Sequence, residues 1–157
     1  MTVNGFKAAV FALAVAGVSF SAYSISPSAP VKSDGFRWTE NIDEAFETAA
    51  REKKPVFINF TGSDWCYWCI LADKNIFRTK EWADFSGKVV CLKVDFPREG
   101  APDVMTMQKR REFAQKFAVR GYPTFVLADA ERRQLARFSA GRKDAATFIG
   151  EVAARLK

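Results

Sequence analysis

Cys66 and Cys69 stand one helical turn apart in Trp65-Cys66-Tyr67-Trp68-Cys69, directly after the strand-like run Pro55-Val56-Phe57-Ile58-Asn59-Phe60. Two sulfurs at i and i+3 on a helix close a disulfide with little backbone movement and open it again. A Cys66 at the helix start would face unpaired backbone N–H groups and the positive end of the helix dipole. Both favour the thiolate, the form that attacks disulfides. Each unit of lowered pKa corresponds to about 1.4 kcal/mol of preference for the charged sulfur. The pattern predicts dithiol redox chemistry.

Other readings of the two thiols fare worse. A tetrahedral zinc site takes four ligands, usually Cys or His. The chain has three Cys and no His, so a carboxylate would have to complete the set, and no metal is expected. Haem attachment of the c type needs His after the second Cys, and position 70 is Ile. A purely structural disulfide around so small a loop adds little stability, since the entropic benefit grows with loop length. The aromatics between the thiols could be core. At a solvated helix start they read better as a docking surface.

The elements that must hold this pair follow from pattern. Thr39-Glu40-Asn41 before Ile42, Ala45, Phe46 and Ala49 predicts a capped amphipathic helix running to about Lys53, with Pro55 as its stop. A strand, Val56 to Phe60, leads through Thr61-Gly62-Ser63-Asp64 into a helix from Cys66 towards Phe77, and Trp82 and Phe85 mark a short further helix. Lys88 to Asp95 reads as a buried strand and 97–102 as a loop. Val104 to Val119 has helical spacing. Strands at Phe125–Ala128 and Leu135–Phe138 flank a turn at Asp129-Ala130, and a last helix runs from about Lys143 to Leu156. Strands alternating with helices, then a hairpin, imply an α/β sandwich.

That order, with Trp-Cys-x-x-Cys at the first strand–helix junction and Gly121-Tyr122-Pro123-Thr124 before the terminal hairpin, resembles the thioredoxin superfamily over residues 36–157. The local form from Phe60 to Cys69 is most similar to exported bacterial thioredoxin-like proteins of the DsbH type. The resemblance implies a thioredoxin fold, a central mixed β-sheet flanked by helices, with an N-terminal βα extension. It implies that Pro123 follows a cis bond and keeps metals off the sulfurs, and that the Tyr122 backbone hydrogen-bonds an extended substrate strand. Cys66 would be the nucleophile and Cys69 the resolving thiol, alternating between dithiol and a Cys66–Cys69 disulfide. Trp65, Tyr67, Trp68 and Tyr122 would form an apolar docking rim. Partners would be disulfide-containing exported proteins or peptides and a membrane electron donor of the DsbD kind. No cofactor is expected, because the sulfurs carry the electrons. Reduction of substrates is the expected direction; disulfide donation or isomerisation, and a non-catalytic binding module or holdase, are the alternatives.

Two departures from cytoplasmic thioredoxin stand out. The residues between the cysteines are Tyr67 and Trp68 rather than Gly and Pro. The buried Asp that handles the second thiol's proton in thioredoxin has Asn59 as its nearest equivalent, with one extra residue before the motif. An amide cannot accept that proton at neutral pH. Water or Asp64 would have to serve instead. Asp64 could also raise the Cys66 pKa by like-charge proximity.

Residues 1–21 read as a signal peptide, with an apolar run from Ala8 to Phe20 and small residues at Ser19 and Ser21; an uncleaved anchor is the alternative. Residues 22–35 read as a flexible leader and 36–157 as the thioredoxin-like domain. Either reading places the folded part outside the cytoplasm, in the periplasm. A monomer is expected. The net charge is +6, yet the basic clusters Lys109-Arg110-Arg111, Arg132-Arg133 and Arg142-Lys143 fall on different elements. A nucleic-acid stripe would gather them on one face, so they are read as solvated surface, without a nucleic-acid partner. Cys91 is left over and reads as an inert core residue, the alternative being a resolving or regulatory thiol.

Overall fold

The computed structural model describes Met1 and residues 36–156; the signal-peptide and leader assignments lie outside the described residues. Ten elements follow one another. They are α1 (Ile42–Glu52), β1 (Val56–Thr61), α2 (Tyr67–Ala72), a π-helical turn (Asp73–Phe77), α3 (Lys80–Ser86), β2 (Val90–Asp95), α4 (Val104–Lys116), β3 (Thr124–Ala128), β4 (Gln134–Phe138) and α5 (Ala145–Ala153). The sheet order is β2-β1-β3-β4, with β1 parallel to β2 and antiparallel to β3. The β3–β4 hairpin closes it, with an irregularity at Leu127/Ala128. This is the mixed sheet of a thioredoxin fold.

All six residues of β1 are buried, because this strand is central and helices cover both its faces. Val56, Ile58 and Phe60 point into a core shared with Phe46 of α1 and Phe113 of α4. Phe57 points the other way, into an aromatic core with Phe77, Trp82, Phe125 and Phe148. The rings of Phe77 and Trp82 meet edge-on with centroids 4.8 Å apart, a geometry that suits the aromatic quadrupole.

Several boundaries differ from expectation for local reasons. The strand of the N-terminal βα extension is reduced to one bridge, Thr39 with Leu92, held by Thr39 N–H to Cys91 O and Lys93 N–H to Thr39 O. Of the Thr39-Glu40-Asn41 stretch expected to cap α1, it is the Asn41 side chain that does so, accepting from the Asp43 and Glu44 N–H groups. The helix after the motif does reach Phe77, but widens to π geometry over its last five residues. α4 stops at Lys116, where Phe117 caps it and Ala118 takes a left-handed φ of 48°.

The basic clusters are not uniformly solvated. Arg110 is 5 % exposed, donates to the Asp95 carbonyl and is paired with Glu40 at 2.8 Å. The α4 periodicity turns it inward, while its neighbours Lys109 and Arg111 stay exposed. Among the described residues no helix is long and apolar enough to cross a membrane.

Candidate active site

Cys66 and Cys69 are joined as a disulfide, with their Cα atoms 5.2 Å apart. Cys66 is the N-cap of α2 rather than its first residue, and its Sγ accepts from the Cys69 N–H at 3.3 Å. The same N–H also reaches the Cys66 carbonyl at 2.9 Å, so the sulfur shares a donor of the first helical turn. Both cysteines are buried, at 7 % and 4 % exposed, and the Tyr122–Pro123 peptide bond is cis.

The turn that delivers Cys66 is tied down by residues about thirty positions later. Ser63 donates from its N–H and its hydroxyl to the two carboxylate oxygens of Asp95. The Trp65 indole donates to the Phe96 carbonyl at 2.8 Å. Asp64 accepts from the backbone N–H groups of Arg98 and Glu99. Those bonds, that from Glu99 foremost, hold its carboxyl below the usual range. Asp64 is thus committed to bracing the 97–100 loop, a role its turn position did not reveal. Gly62 is required for this packing, since a Cβ there would lie 2.4 Å from the Trp65 ring.

The aromatic residues are brought together as two pairs. Trp65 meets Tyr122 edge-on at 5.9 Å, and Tyr122 in turn lies 5.1 Å from Phe96. Tyr67 meets Trp68 edge-on at 5.4 Å. All three motif aromatics are exposed, Tyr67 most at 68 %. Ile70, 47 % exposed, joins this apolar surface, and the Arg98 guanidinium lies over the Trp65 ring at 4.8 Å. Neither was foreseen: Ile70 fits helical core spacing as well as exposure, and Arg98 sits in a loop without periodicity. Burial raises the Tyr122 phenol above its ordinary pKa, with the Arg111 charge opposing.

Behind Cys69, the side chains of Asn59, Thr61, Ser63, Asp73 and Lys93 line a cavity of about 180 Å³. Cys91 lies apart, buried in the aromatic core. Burial pushes its thiol up to about 12, so it stays protonated and a poor nucleophile at neutral pH.

A family model described as "Thioredox_DsbH: Protein of unknown function, DUF255" matches residues 27–144. Disulfide bond reductase DsbH of Chlamydia pneumoniae is 33 % identical over 138 residues, which span 87 % of this chain and 82 % of that protein. A solved DsbH oxidoreductase superposes with a TM-score of 0.74 at 31 % identity, covering 87 % of this chain and 94 % of the other. The oxidised C-terminal domain of Neisseria meningitidis DsbD shares the fold, with a TM-score of 0.58, 17 % identity, and coverage of 76 % and 99 %. A Cys-x-x-Cys pair at the cap of α2, a mixed sheet of thioredoxin order and these matches together assign the chain to the DsbH-like family of thioredoxin-fold thiol–disulfide oxidoreductases.

Proposed function

We propose that the chain is a periplasmic protein-disulfide reductase, with Cys66 as nucleophile and Cys69 as resolving thiol. The observation that carries this reading is the Cys66 sulfur at a helix cap, in hydrogen-bond contact with the Cys69 N–H and joined to Cys69. The similar protein of Chlamydia pneumoniae that bears the name disulfide bond reductase supports the direction.

In the reduced protein the Cys66 thiolate attacks a substrate disulfide, forming a mixed disulfide and releasing one substrate thiol. Cys69 then attacks the Cys66 sulfur, releases the second thiol and leaves the Cys66–Cys69 disulfide. Trp65, Tyr67, Trp68 and Tyr122 supply the apolar rim against which the substrate backbone lies beside Pro123. Two electrons from a membrane donor of the DsbD kind restore the dithiol. The DsbD domain that shares the fold makes a thioredoxin-to-thioredoxin relay structurally reasonable. Export through the 1–21 segment puts the protein where such partners are.

Direction is a matter of potential, for which 30 mV is about 1.4 kcal/mol in a two-electron couple. Equilibration against glutathione or dithiothreitol is expected to give about −230 mV or lower, in the thioredoxin range. A value above about −150 mV, towards the DsbA end, would make the protein a disulfide donor instead. Cys69→Ser is expected to trap mixed disulfides through Cys66. If it traps none, the two-cysteine mechanism falls, and intact partner binding by the double Cys66→Ser, Cys69→Ser variant would point to a binding module.

A further inference from the structure

The lip of the site carries charge as well as aromatic surface. Arg98 is exposed, and its guanidinium carbon stands 4.8 Å from the centroid of the Trp65 ring. A cation over an indole face is attracted by the ring quadrupole. The ring is itself anchored, because its indole N–H donates to the Phe96 carbonyl at 2.8 Å. The backbone beneath Arg98 is held too, since its N–H and that of Glu99 both donate to Asp64. Platform and loop together fix where this positive charge sits.

Stacking engages the flat face of the guanidinium and leaves its in-plane N–H donors for another group. Among the described residues Arg98 forms no ion pair that would take them. Asp64 is engaged by the Glu99 and Arg98 N–H groups, which hold its carboxyl low with a smaller share from the Arg98 charge. A second cation approaches from α4. Burial raises the Tyr122 phenol and the Arg111 charge opposes, while the Tyr122 ring meets Trp65 edge-on at 5.9 Å. Arg120, also exposed, stands two residues before Tyr122 in the chain. Arg98, Arg111 and Arg120 thus face Asp64 and the exposed Glu99, an excess of cation around the Trp65–Tyr122 pair.

We propose that Arg98 is a specificity-determining residue, whose guanidinium on Trp65 takes the carboxylate of a Glu or Asp flanking the substrate cysteine. The site then prefers disulfides set in acidic peptide segments. The inference rests on the reductase reading above, in which the substrate backbone lies beside Pro123 and against Trp65 and Tyr122. Residues next to the substrate cysteine pass along that aromatic pair, with Arg98 over one ring and Arg111 acting on the other. A carboxylate meets the guanidinium edge in a charge-assisted, two-pronged bond that neither an amide nor an ammonium reproduces.

Disulfide-linked dimers of one short peptide, with Glu, Gln or Lys on both sides of its single Cys, test this with the reduced full chain. Acid quenching and chromatography follow the peptide thiol released. Each peptide is compared with itself across protein variants, so differences in its own thiol chemistry cancel. Arg98→Gln keeps the backbone N–H that Asp64 accepts. It is expected to slow the Glu peptide about threefold, the size of one exposed ion pair, to leave the Gln peptide unchanged and to speed the Lys peptide. With the wild type, raising the ionic strength from about 0.01 M to about 1 M shortens the Debye length from about 30 Å to about 3 Å. The Glu peptide should slow relative to the Gln peptide over that range. Equal slowing of all three peptides in Arg98→Gln means that Arg98 only holds the loop, and overturns the proposal. So does a wild-type ratio of Glu to Gln rates that salt leaves unchanged. A wild-type chain that reduces none of the peptides overturns the reductase reading itself, and this inference with it. Reduction of all three at rates that neither the variant nor salt tells apart overturns the inference alone.

Discussion

Cys66, Cys69 and Cys91 carry one functional group into three environments. Cys66 sits at a helix cap with a donor at 3.3 Å, Cys69 beside a polar cavity, and Cys91 among rings that push its thiol up to about 12. Alkylation of the reduced native protein at pH 8 is therefore expected to modify Cys66 and Cys69 and to reach Cys91 only after unfolding; mass spectrometry counts the adducts. A native protein that takes three adducts would sink this account of Cys91. Gly62 makes a second residue-scale case. A methyl group there would meet the Trp65 ring at 2.4 Å, and the ring is fixed by its bond to Phe96. Overpacking of this kind costs about 1–3 kcal/mol, so Gly62→Ala should lower stability by that much and raise the KM for a protein disulfide. Unchanged denaturation and KM would mean that Trp65 moves aside freely. The two cysteines were legible in the sequence because their motif is local, whereas Tyr122 and Pro123 were found only through the resemblance of Gly121-Tyr122-Pro123-Thr124 to the thioredoxin superfamily. The bracing of Ser63, Asp64 and Trp65 by residues 95–99 was not, because it joins positions about thirty apart, and at Phe96, Arg98 and Glu99 the partners are backbone groups that every residue shares.

Helices and strands were read from periodicity, and the errors fall where a side-chain hydrogen bond or a backbone twist decides. Phe46, Ala49 and Ala45 announce α1 by spacing, but its cap is chosen by which oxygen reaches the Asp43 and Glu44 N–H groups, and that is Asn41. The same helix ends at Lys53 in a left-handed conformation with φ 53°, a position that favours glycine. Lys53 is exposed and its backbone N–H bonds the Ala49 carbonyl. Lys53→Gly keeps that bond and removes the Cβ clash, so it is expected to raise stability by about 0.5–1 kcal/mol in urea titration. Loss of stability would show that the Lys53 stem packs usefully. At the start of α3 the Thr79 hydroxyl accepts from the Trp82 N–H at 3.2 Å. Trp82 is fully buried against Phe57 and Phe77, so this cap also aims the largest ring of the aromatic core. Thr79→Ala is expected to cost about 1 kcal/mol, with a near-ultraviolet dichroism change reporting the displaced indole. An unaltered indole signal would separate the cap from the aim of the ring.

At the scale of the whole domain, two apolar cores on opposite faces of one sheet are joined at the sheet's edge by a polar cluster. Glu40 takes Lys93 of β2 on one oxygen and Arg110 of α4 on the other, each at 2.8 Å, and Arg110 continues to the Asp95 carbonyl. The segment before α1, the parallel edge strand and α4 are thereby held to one another across seventy positions of sequence. Sequence reading assigned Arg110 to the surface because a triplet of basic residues has no periodicity of its own. Burial raises the Glu40 pKa and the two cations lower it, and the cations prevail, so the folded value lies below the ordinary 4.5. A carboxyl depressed in the folded state stabilises the fold above its unfolded pKa and loses that contribution as pH falls through the folded one. Half of Glu40 is in water, 46 % of its side chain being exposed, so the contribution is at the modest end, about 1 kcal/mol. Urea denaturation of wild type and Glu40→Gln is expected to differ by that amount at pH 7. The gap should narrow as pH falls below the ordinary 4.5 and close once the pH lies below the folded value, where the wild-type carboxyl is also neutral. A gap that persists unchanged there would mean that Glu40 holds the edge by packing and neutral hydrogen bonds rather than by its charge.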